Sequence, residues 1–292
     1  MTTLFHQSIE KELAWAVDRL RKAGIDTPFL DAEVLMSHVT GLSRTQLIAN
    51  PKRELSQEES ARFRELVGRR CERFPLPYLT GKKEFWGLEF EVNPSVLIPR
   101  PETELLVEFV IEWLGDRPAI IAEIGAGSGA ISVALAKALP RAMVYATEIC
   151  PDAAATATRN AKRHLVDDRV KVLLGDLAKP LLDEGLEGKV DALVSNPPYV
   201  HSEKAEDLQP EVRCEPSLAT VAGPDPLLFY RRIITEGRSL LAPGGRVFFE
   251  IDPGLAEFIA EIGEQNKLRF VEMRRDLAGL ERLVILECES SK

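Results

Sequence analysis

The sequence predicts an α/β protein: an open, seven-stranded, mostly parallel sheet wrapped by helices, preceded by a small N-terminal helical bundle. Three observations predict it. From Pro118 onward, short apolar runs alternate with helical segments, the pattern of strands joined by crossovers. The first of those runs ends in Gly125-Ala126-Gly127-Ser128-Gly129, and the helix-forming AISVALAKAL follows at once. Ahead of residue 73, apolar residues recur instead at three- and four-residue spacing.

Taken in order, Ile9, Leu13, Ala16, Val17 and Leu20 form the stripe of a first helix, which Gly24 ends. Thr27-Pro28 reads as an N-cap followed by proline at the first helical position, and Gly41 closes that second helix. Ser56 with Glu59 is a capping box opening a third helix that runs to about Arg70. Residues 71–83, CERFPLPYLTGKK, carry prolines and a glycine and read as a linker. EFWGLEFEV then alternates as a short hairpin does, and VLIPRPETE sets an extended Pro99-Arg100-Pro101 ahead of a helix start at Glu102, Thr103 and Glu104. Strands are expected at 119–124, 143–148, 170–176, 191–196 and 246–251, with two more near 268–273 and 282–287 that are close enough to pair differently. The expected divisions are a helical domain over 1–73, a linker and hairpin over 74–104, and the sheet domain over 105–292.

Composition bounds the function. Hydrophobic residues at 45% and charged residues at 28% are ordinary for a soluble globular chain. No apolar run approaches the roughly 18 residues of a membrane span. MTTLFHQSIEKE lacks the basic start and apolar stretch of a signal peptide. Cys71, Cys150, Cys214 and Cys288 are scattered without a CxxC pair, which argues against zinc and fits a reducing compartment, so a cytoplasmic location is expected. His6, His38, His164 and His201 are equally dispersed and read as surface or packing residues, so no metal site is expected. The net charge of −9 divides unevenly: residues 1–85 hold 14 basic and 12 acidic side chains, the remainder 23 and 34. A protein that lives on long nucleic acid usually carries a basic face, so the acidic larger part argues against that class.

The glycine stretch carries the first chemistry. In open α/β sheets the ligand sits beyond the carboxyl ends of the strands, glycines let the backbone approach it, and a helix N-terminus offers free N–H groups. Gly125, Gly127 and Ala130 also satisfy the dinucleotide fingerprint. Glu148 ends the second strand, 23 residues after Gly125, where a carboxylate accepts from two ribose hydroxyls. The loop therefore specifies a nucleoside cofactor and leaves NAD and S-adenosyl-L-methionine open. Asp176, at the end of the third strand with Leu177 after it, is a candidate for the adenine amino group, although an Asp there is also a common helix cap.

Asn196-Pro197-Pro198-Tyr199 decides between them. It ends the fourth strand and so reaches the same rim as the glycine loop. A planar –NH2 conjugated to a carbonyl or a ring is poorly nucleophilic. The Asn196 side-chain oxygen accepts one of its N–H groups and the Pro197 carbonyl the other, which orients the nitrogen toward a methyl donor. The prolines fix φ near −65° and add no competing donor. Tyr199 supplies a flat face for stacking. Hydride transfer has no use for paired acceptors around an amine, so the donor is S-adenosylmethionine. A bare turn after a strand accounts for Pro-Pro alone, but not for its position beside the glycine loop.

With this set following EIGAGSG, the chain resembles the amino-methyltransferases of the class I, Rossmann-like fold. Residues 75–104, 211–233 (EVRCEPSLATVAGPDPLLFYRRI) and 276–287 (DLAGLERLVILE) narrow the likeness to the PrmC/HemK glutamine N5-methyltransferases. The resemblance implies S-adenosylmethionine as cofactor and, as substrate, the glutamine in the Gly-Gly-Gln loop of class I peptide-chain release factors. It implies that Gly125, Ala126, Gly127, Ser128 and Gly129 line the cofactor, that Glu148 holds its ribose, and that Asp176 and Leu177 lie near its adenine. Asn196, Pro197 and Tyr199 are then catalytic, with Asn196 shared between cofactor and substrate. Pro198 also holds the glutamine, and Arg100, Pro101, Thr103 and Glu104 belong to a segment that closes over it. The helical front domain helps grip the release factor, acting as a monomer without nucleic acid or membrane. Three departures stand out. Ala222-Gly223-Pro224-Asp225-Pro226-Leu227 replaces the common Gly-Gly-x-Asp-Gly-Leu, Leu177 stands where an aromatic is frequent, and Asp252-Pro253 replaces a glycine-containing turn. Two alternatives remain at this point: glutamine methylation of a ribosomal protein, and amino-methylation of a nucleic-acid base, which needs Lys and Arg on the backbone of an extruded base.

Overall fold

A computed structural model describes residues 7–289; His6 and the first half of the N-terminal stretch read above for a signal peptide lie outside them. The chain divides into two compact units, Met1–Gly81 with Gln209–Cys214, and Lys82–Leu208 with Glu215–Lys292.

The first unit holds α1 (Ile9–Lys22), α2 (Pro28–Thr40), α3 (Arg44–Ala49), α4 (Gln57–Cys71) and α5 (Leu76–Thr80). The α1 stripe buries Ile9, Ala16, Val17 and Leu20, which pack with Leu35 and Met36 of α2 and with Phe63, Leu66 and Val67 of α4. Gly41 closes α2 with φ +70°, a conformation glycine adopts freely. Ser56 and Glu59 form the reciprocal capping box at the start of α4. Thr27 departs from expectation. It stands at the N-cap, but its hydroxyl donates to the Asp31 carboxylate at 2.7 Å and caps no backbone N–H, because a charged acceptor one turn ahead is the better partner. The short α3, opened by a Ser43/Gln46 capping box, escaped the periodicity because one and a half turns carry too few apolar positions. Helix α5 lies inside the 71–83 segment that reads as a linker, and its Leu79 is buried in the core of this unit. Within the unit, Arg70 is buried between Asp31 (2.7 Å) and Glu211 (2.8 Å), and Arg73 also meets Glu211 at 2.9 Å.

The second unit opens with the hairpin β1 (Lys82–Phe85) and β2 (Leu88–Glu91), then α6 (Glu104–Leu114) and the alternating run β3 (Ala119–Ile124), α7 (Ala130–Ala138), β4 (Ala142–Glu148), α8 (Pro151–Arg163), β5 (Val170–Leu174), α9 (Lys179–Asp183) and β6 (Val190–Ser195). A small pair, β7 (Val200–His201) and β8 (Val221–Gly223), brackets α10 (Ser217–Thr220); α11 (Leu228–Gly237), β9 (Leu241–Glu250), α12 (Ala256–Gln265), β10 (Leu268–Arg275) and β11 (Glu281–Cys288) complete it. The seven-stranded sheet has the order β10-β11-β9-β6-β3-β4-β5. Its first five strands in the chain are parallel, while β11 runs antiparallel to both β9 and β10. That reversal follows from connection length, since only five residues separate β10 from β11, too few for a crossover. The central strands β3 and β6 are buried almost throughout because helices cover both faces, which is why AIIAEI and DALVS read as continuous apolar runs.

Candidate active site

The strand order reverses between β3 and β6, whose chains continue to opposite sides of the sheet. The carboxyl ends of strands leave a crevice at such a point. A cavity of about 420 Å³ lies there. Gly125 and Gly127 line it from the end of β3, Thr147 and Glu148 from β4, Gly175, Asp176 and Leu177 from beyond β5, and Asn196, Pro197 and Pro198 from beyond β6. More of the wall comes from residues 94–97 and 216–219, from Phe229 and Ile233 of α11, and from Ile124, Ile149, Cys150, Ala153 and Ser195.

The glycine loop is tied to the end of β4. The N–H groups of Gly125 and Ala126 both donate to the Thr147 carbonyl, at 3.0 and 2.9 Å. Glu148 accepts from the Gly127 N–H at 2.8 Å through Oε2 and from the Cys150 N–H at 2.9 Å through Oε1, so its carboxylate is held at the cavity wall by backbone donors. Gly125 and Gly127 have φ of +83° and +53°, and a Cβ on either would stand in open space. Gly129 differs: its Cβ would meet the Ala157 backbone at 3.1 Å, so it serves helix packing. Ala126 is buried with Ala146 and Ala157, and the Ser128 carbonyl accepts from Asn160 Nδ2 at 2.8 Å. Two of the five loop residues therefore line the cavity, while Ala126, Ser128 and Gly129 hold the loop.

Asp176 lies two residues beyond β5, which ends at Leu174 rather than at Asp176 as the apolar run suggested. Gly175 breaks the strand there, donating to the Glu148 carbonyl at 2.9 Å. The Asp176 carboxylate pairs with Arg232 of α11 at 2.8 Å, and Leu177 beside it holds a left-handed φ of +44°. Thr147 is a lining residue that sequence reasoning passed over. Its buried hydroxyl has no hydrogen-bond partner among the described residues. Nothing in MVYATE separates that side chain from the core positions around it.

On the β6 side, Ser195 Oγ donates to the Ile124 carbonyl at 2.7 Å and stitches the two strand ends together where their ladder has stopped. Asn196 follows one residue beyond the strand, and its Nδ2 donates to Thr103 Oγ1 at 3.3 Å. Tyr199 does not line the cavity; it packs on the core formed by α11 and β9. Burial, reinforced by the nearby Glu250 and Asp252 carboxylates, pushes its phenol up to about 12, so it keeps its proton and is no base at neutral pH. Arg100, Pro101, Thr103 and Glu104 also stand outside the lining. Arg100 pairs with buried Glu215 at 2.5 Å, and the other Glu215 oxygen accepts from the Ile98 N–H at 3.1 Å. Burial drives the Glu215 carboxyl upward and Arg100 opposes it. Glu215 thereby ties the chain leading from the Pro94–Leu97 wall to the start of the Pro216–Ala219 wall. Pro101 opens a 3-10 turn ending at Thr103, and Glu104 accepts from the Trp86 N–H at 2.7 Å, fastening the hairpin.

Two further carboxyls are fully buried beside the site. Burial pushes Glu123 of β3 up to about 8 although Ser132 donates a hydrogen bond to it, and the Glu148 charge adds to the rise. Burial likewise pushes Glu250 of β9 up to about 7. The cavity thus joins backbone-held acceptors on one side to an amide on the other, in a setting suited to orienting a polar nitrogen without a strong base.

Comparison with known proteins follows the same division of the chain. Residues 12–81 match the family described as PrmC N-terminal domain, and residues 102–212 the family described as Methyltransferase small domain. The release factor glutamine methyltransferase of Moorella thermoacetica is 41% identical over 277 residues, covering 94% of this chain and 96% of that one. Its counterpart in Geobacter sulfurreducens is 42% identical over 280 residues, covering 95% of each. The crystal structure of a methyltransferase from Pyrococcus furiosus aligns with a TM-score of 0.53 at 20% identity, over 76% of this chain and 98% of that one, a likeness of fold alone. Identity of this level across both units, with the crevice at the switch point carrying the glycine loop and Asn196, means that the chain belongs to the release factor glutamine methyltransferase family.

Proposed function

We propose that the protein transfers a methyl group from S-adenosylmethionine to the side-chain nitrogen, N5, of the glutamine in the Gly-Gly-Gln motif of class I peptide chain release factors. The observation that carries this reading is the shared cavity, with Gly125, Gly127 and Glu148 on one side and Asn196 and Pro197 on the other. The relatives' name, release factor glutamine methyltransferase, supports the choice of substrate.

The residues fit the cofactor. Gly125 and Gly127 leave free the space that a Cβ would fill, Glu148 offers a carboxylate to a ribose, and Thr147 brings an unpartnered hydroxyl to the same wall. Asp176 and Leu177 border the region assigned to the adenine, with Ala126, Ser128 and Gly129 holding the loop behind. When bound, S-adenosylmethionine supplies an electrophilic methyl group. The chain's own part is to hold the amide nitrogen. Asn196 Oδ1 and the Pro197 carbonyl each accept one N–H, which favours loss of amide planarity as charge develops on nitrogen. Pro198 stiffens the turn, and Tyr199, kept protonated, backs it from the core. Arg100 and Glu104 act indirectly, through Glu215 and the hairpin. The helical region of residues 1–73 takes the role of gripping the release factor, with 74–104 joining it to the methyltransferase domain of residues 105–292. The enzyme acts as a cytoplasmic monomer on a protein, without metal or nucleic acid; the acidic balance of the larger part of the chain favours a protein over a duplex.

The test is methyl transfer from labelled S-adenosylmethionine to purified release factor, with a variant lacking the Gly-Gly-Gln glutamine as control. Label on the first and not the second is expected. Absence of label on both, with cofactor binding intact, overturns the reading in favour of a ribosomal protein and then of nucleic-acid bases.

A further inference from the structure

Behind Asn196 lies a pair of side chains: Thr103, so far only a member of the segment expected to close over the substrate, and Glu250, which has no assigned part. Thr103 is 5% exposed and Glu250 is 3% exposed, and neither lines the cavity. The Thr103 hydroxyl receives Asn196 Nδ2 at 3.3 Å, and its interaction with the Glu250 carboxyl favours the charged form of that group. Glu250 Oε2 has no hydrogen-bond partner among the described residues.

A hydroxyl carries one proton, and an ionised carboxylate only accepts. With Glu250 charged, the Thr103 proton is directed to Glu250 and a lone pair is left for Asn196. Only the NH2 end of an amide donates, so that end turns to Thr103. Oδ1 is then the free acceptor of a side chain that lines the cavity. With Glu250 neutral the direction is no longer enforced, because the carboxyl can itself donate to Thr103 and release the Thr103 proton toward Asn196. The amide then turns its NH2 to the cavity, a donor where an amide substrate needs an acceptor.

We propose that Thr103 and Glu250 are positioning residues that set which end of the Asn196 amide faces the substrate nitrogen. The inference rests on the reading that Asn196 holds the glutamine. The charges around Glu250 come from several elements. Arg282 of β11 and Arg100 favour its charged form and Glu102 opposes it. Asp252 and Tyr199 lie in the same group, and Tyr230 of α11 donates to the Glu250 backbone carbonyl at 2.9 Å and not to its carboxyl. Burial outweighs the cations, and Glu250 changes charge at about 7, inside the range of an ordinary assay. Turnover therefore rises with pH as Glu250 ionises.

The experiment measures kcat with release factor as acceptor, between about pH 6 and 8, beside cofactor affinity and thermal unfolding. Wild type is expected to show a limb rising through about 7. Glu250→Gln, which does not titrate, is expected to abolish that limb. Thr103→Val is expected to lose roughly 10- to 100-fold in kcat, the scale of a misoriented catalytic group, with unchanged cofactor affinity. Thr103→Ser is expected to recover most of that loss. A limb retained in Glu250→Gln, or near-normal turnover in Thr103→Val, overturns the proposal. Should Glu250→Gln fail to fold, the two Thr103 variants decide. An Asn196→Ala arm separates the levels: normal turnover there sinks the reading of Asn196 itself, whereas its loss beside an active Thr103→Val sinks only the positioning role.

Discussion

Asn196 and Gly127 show how much one residue carries and how differently. In the proposed reaction Asn196 offers an acceptor whose value grows as charge develops on the substrate nitrogen, so Asn196→Ala is expected to lose about 10²- to 10³-fold in kcat. The cofactor dissociation constant, measured by calorimetry, is expected to move far less, because the glycine loop and Glu148 are untouched. On the same proposal Gly127 acts on binding instead. Its φ of +53° is hostile to a β-branched residue, and the space beyond its Cα is the cavity itself. Gly127→Val is expected to weaken S-adenosylmethionine binding by roughly 100-fold, or about 2.7 kcal/mol. Unchanged affinity would mean that the cofactor does not lie against this loop.

At the scale of elements, the glycine loop is held from behind by a helix and a hairpin. Asn160 of α8 is fully buried and accepts from the Glu91 N–H at 2.8 Å. It also donates to the carbonyls of Glu91 at 2.9 Å and of Ser128 at 2.8 Å. One side chain thus satisfies three backbone groups of two elements. Asn160→Ala leaves them unpaired in a dry interior and is expected to destabilise the fold by about 3 kcal/mol in urea titrations. Cofactor affinity should fall as well, since Ser128 anchors the loop; a change in urea midpoint below a tenth of wild type would refute this account. The Glu215 tie works similarly between chain segments, joining Arg100 and the Ile98 N–H to the chain before Pro216 although Arg100 does not line the cavity. The family resemblance marked the Arg100–Glu104 stretch as part of the site, but not that its side chains point to hairpin, turn and buried carboxyl.

For the molecule as a whole, buried carboxyls, Glu123 and Glu250 foremost, shape stability above mild acid. Glu123 is raised to about 8 and Glu250 to about 7, against about 4.3 for an unfolded Glu. A folded-state value above the unfolded one means that the native protein binds more protons in between. Their stabilising contribution is full below the unfolded value and is lost as pH rises toward 8. Glu59, Glu91, Glu211 and Glu287 are shifted the other way, through Arg partners and backbone donors, and their contribution is lost only as pH falls below the ordinary carboxylate range. The melting temperature is therefore expected to decline between about pH 5 and 8, and Glu123→Gln to flatten that decline. A wild-type melting temperature constant across this window would contradict it.

The parallel strands, the α1 stripe, the Ser56 capping box and the Gly41 stop were legible in the chain because each depends on neighbours within a few residues. The conjunction of the glycine loop with Asn196 was legible too, since strand ends in a parallel sheet share one rim. Only the tertiary structure decided the rest. Thr147 enters the cavity wall, and Ala126, Ser128 and Gly129 fall behind it, because of how β4 and α8 pack on the loop. Thr103 meets Asn196 across 93 residues of sequence, and Ile98 meets Glu215 across 117. Periodicity carries no information over such separations. Local pattern specifies which elements form, whereas the partner of a buried hydroxyl or carboxyl is set by which elements the sheet brings side by side.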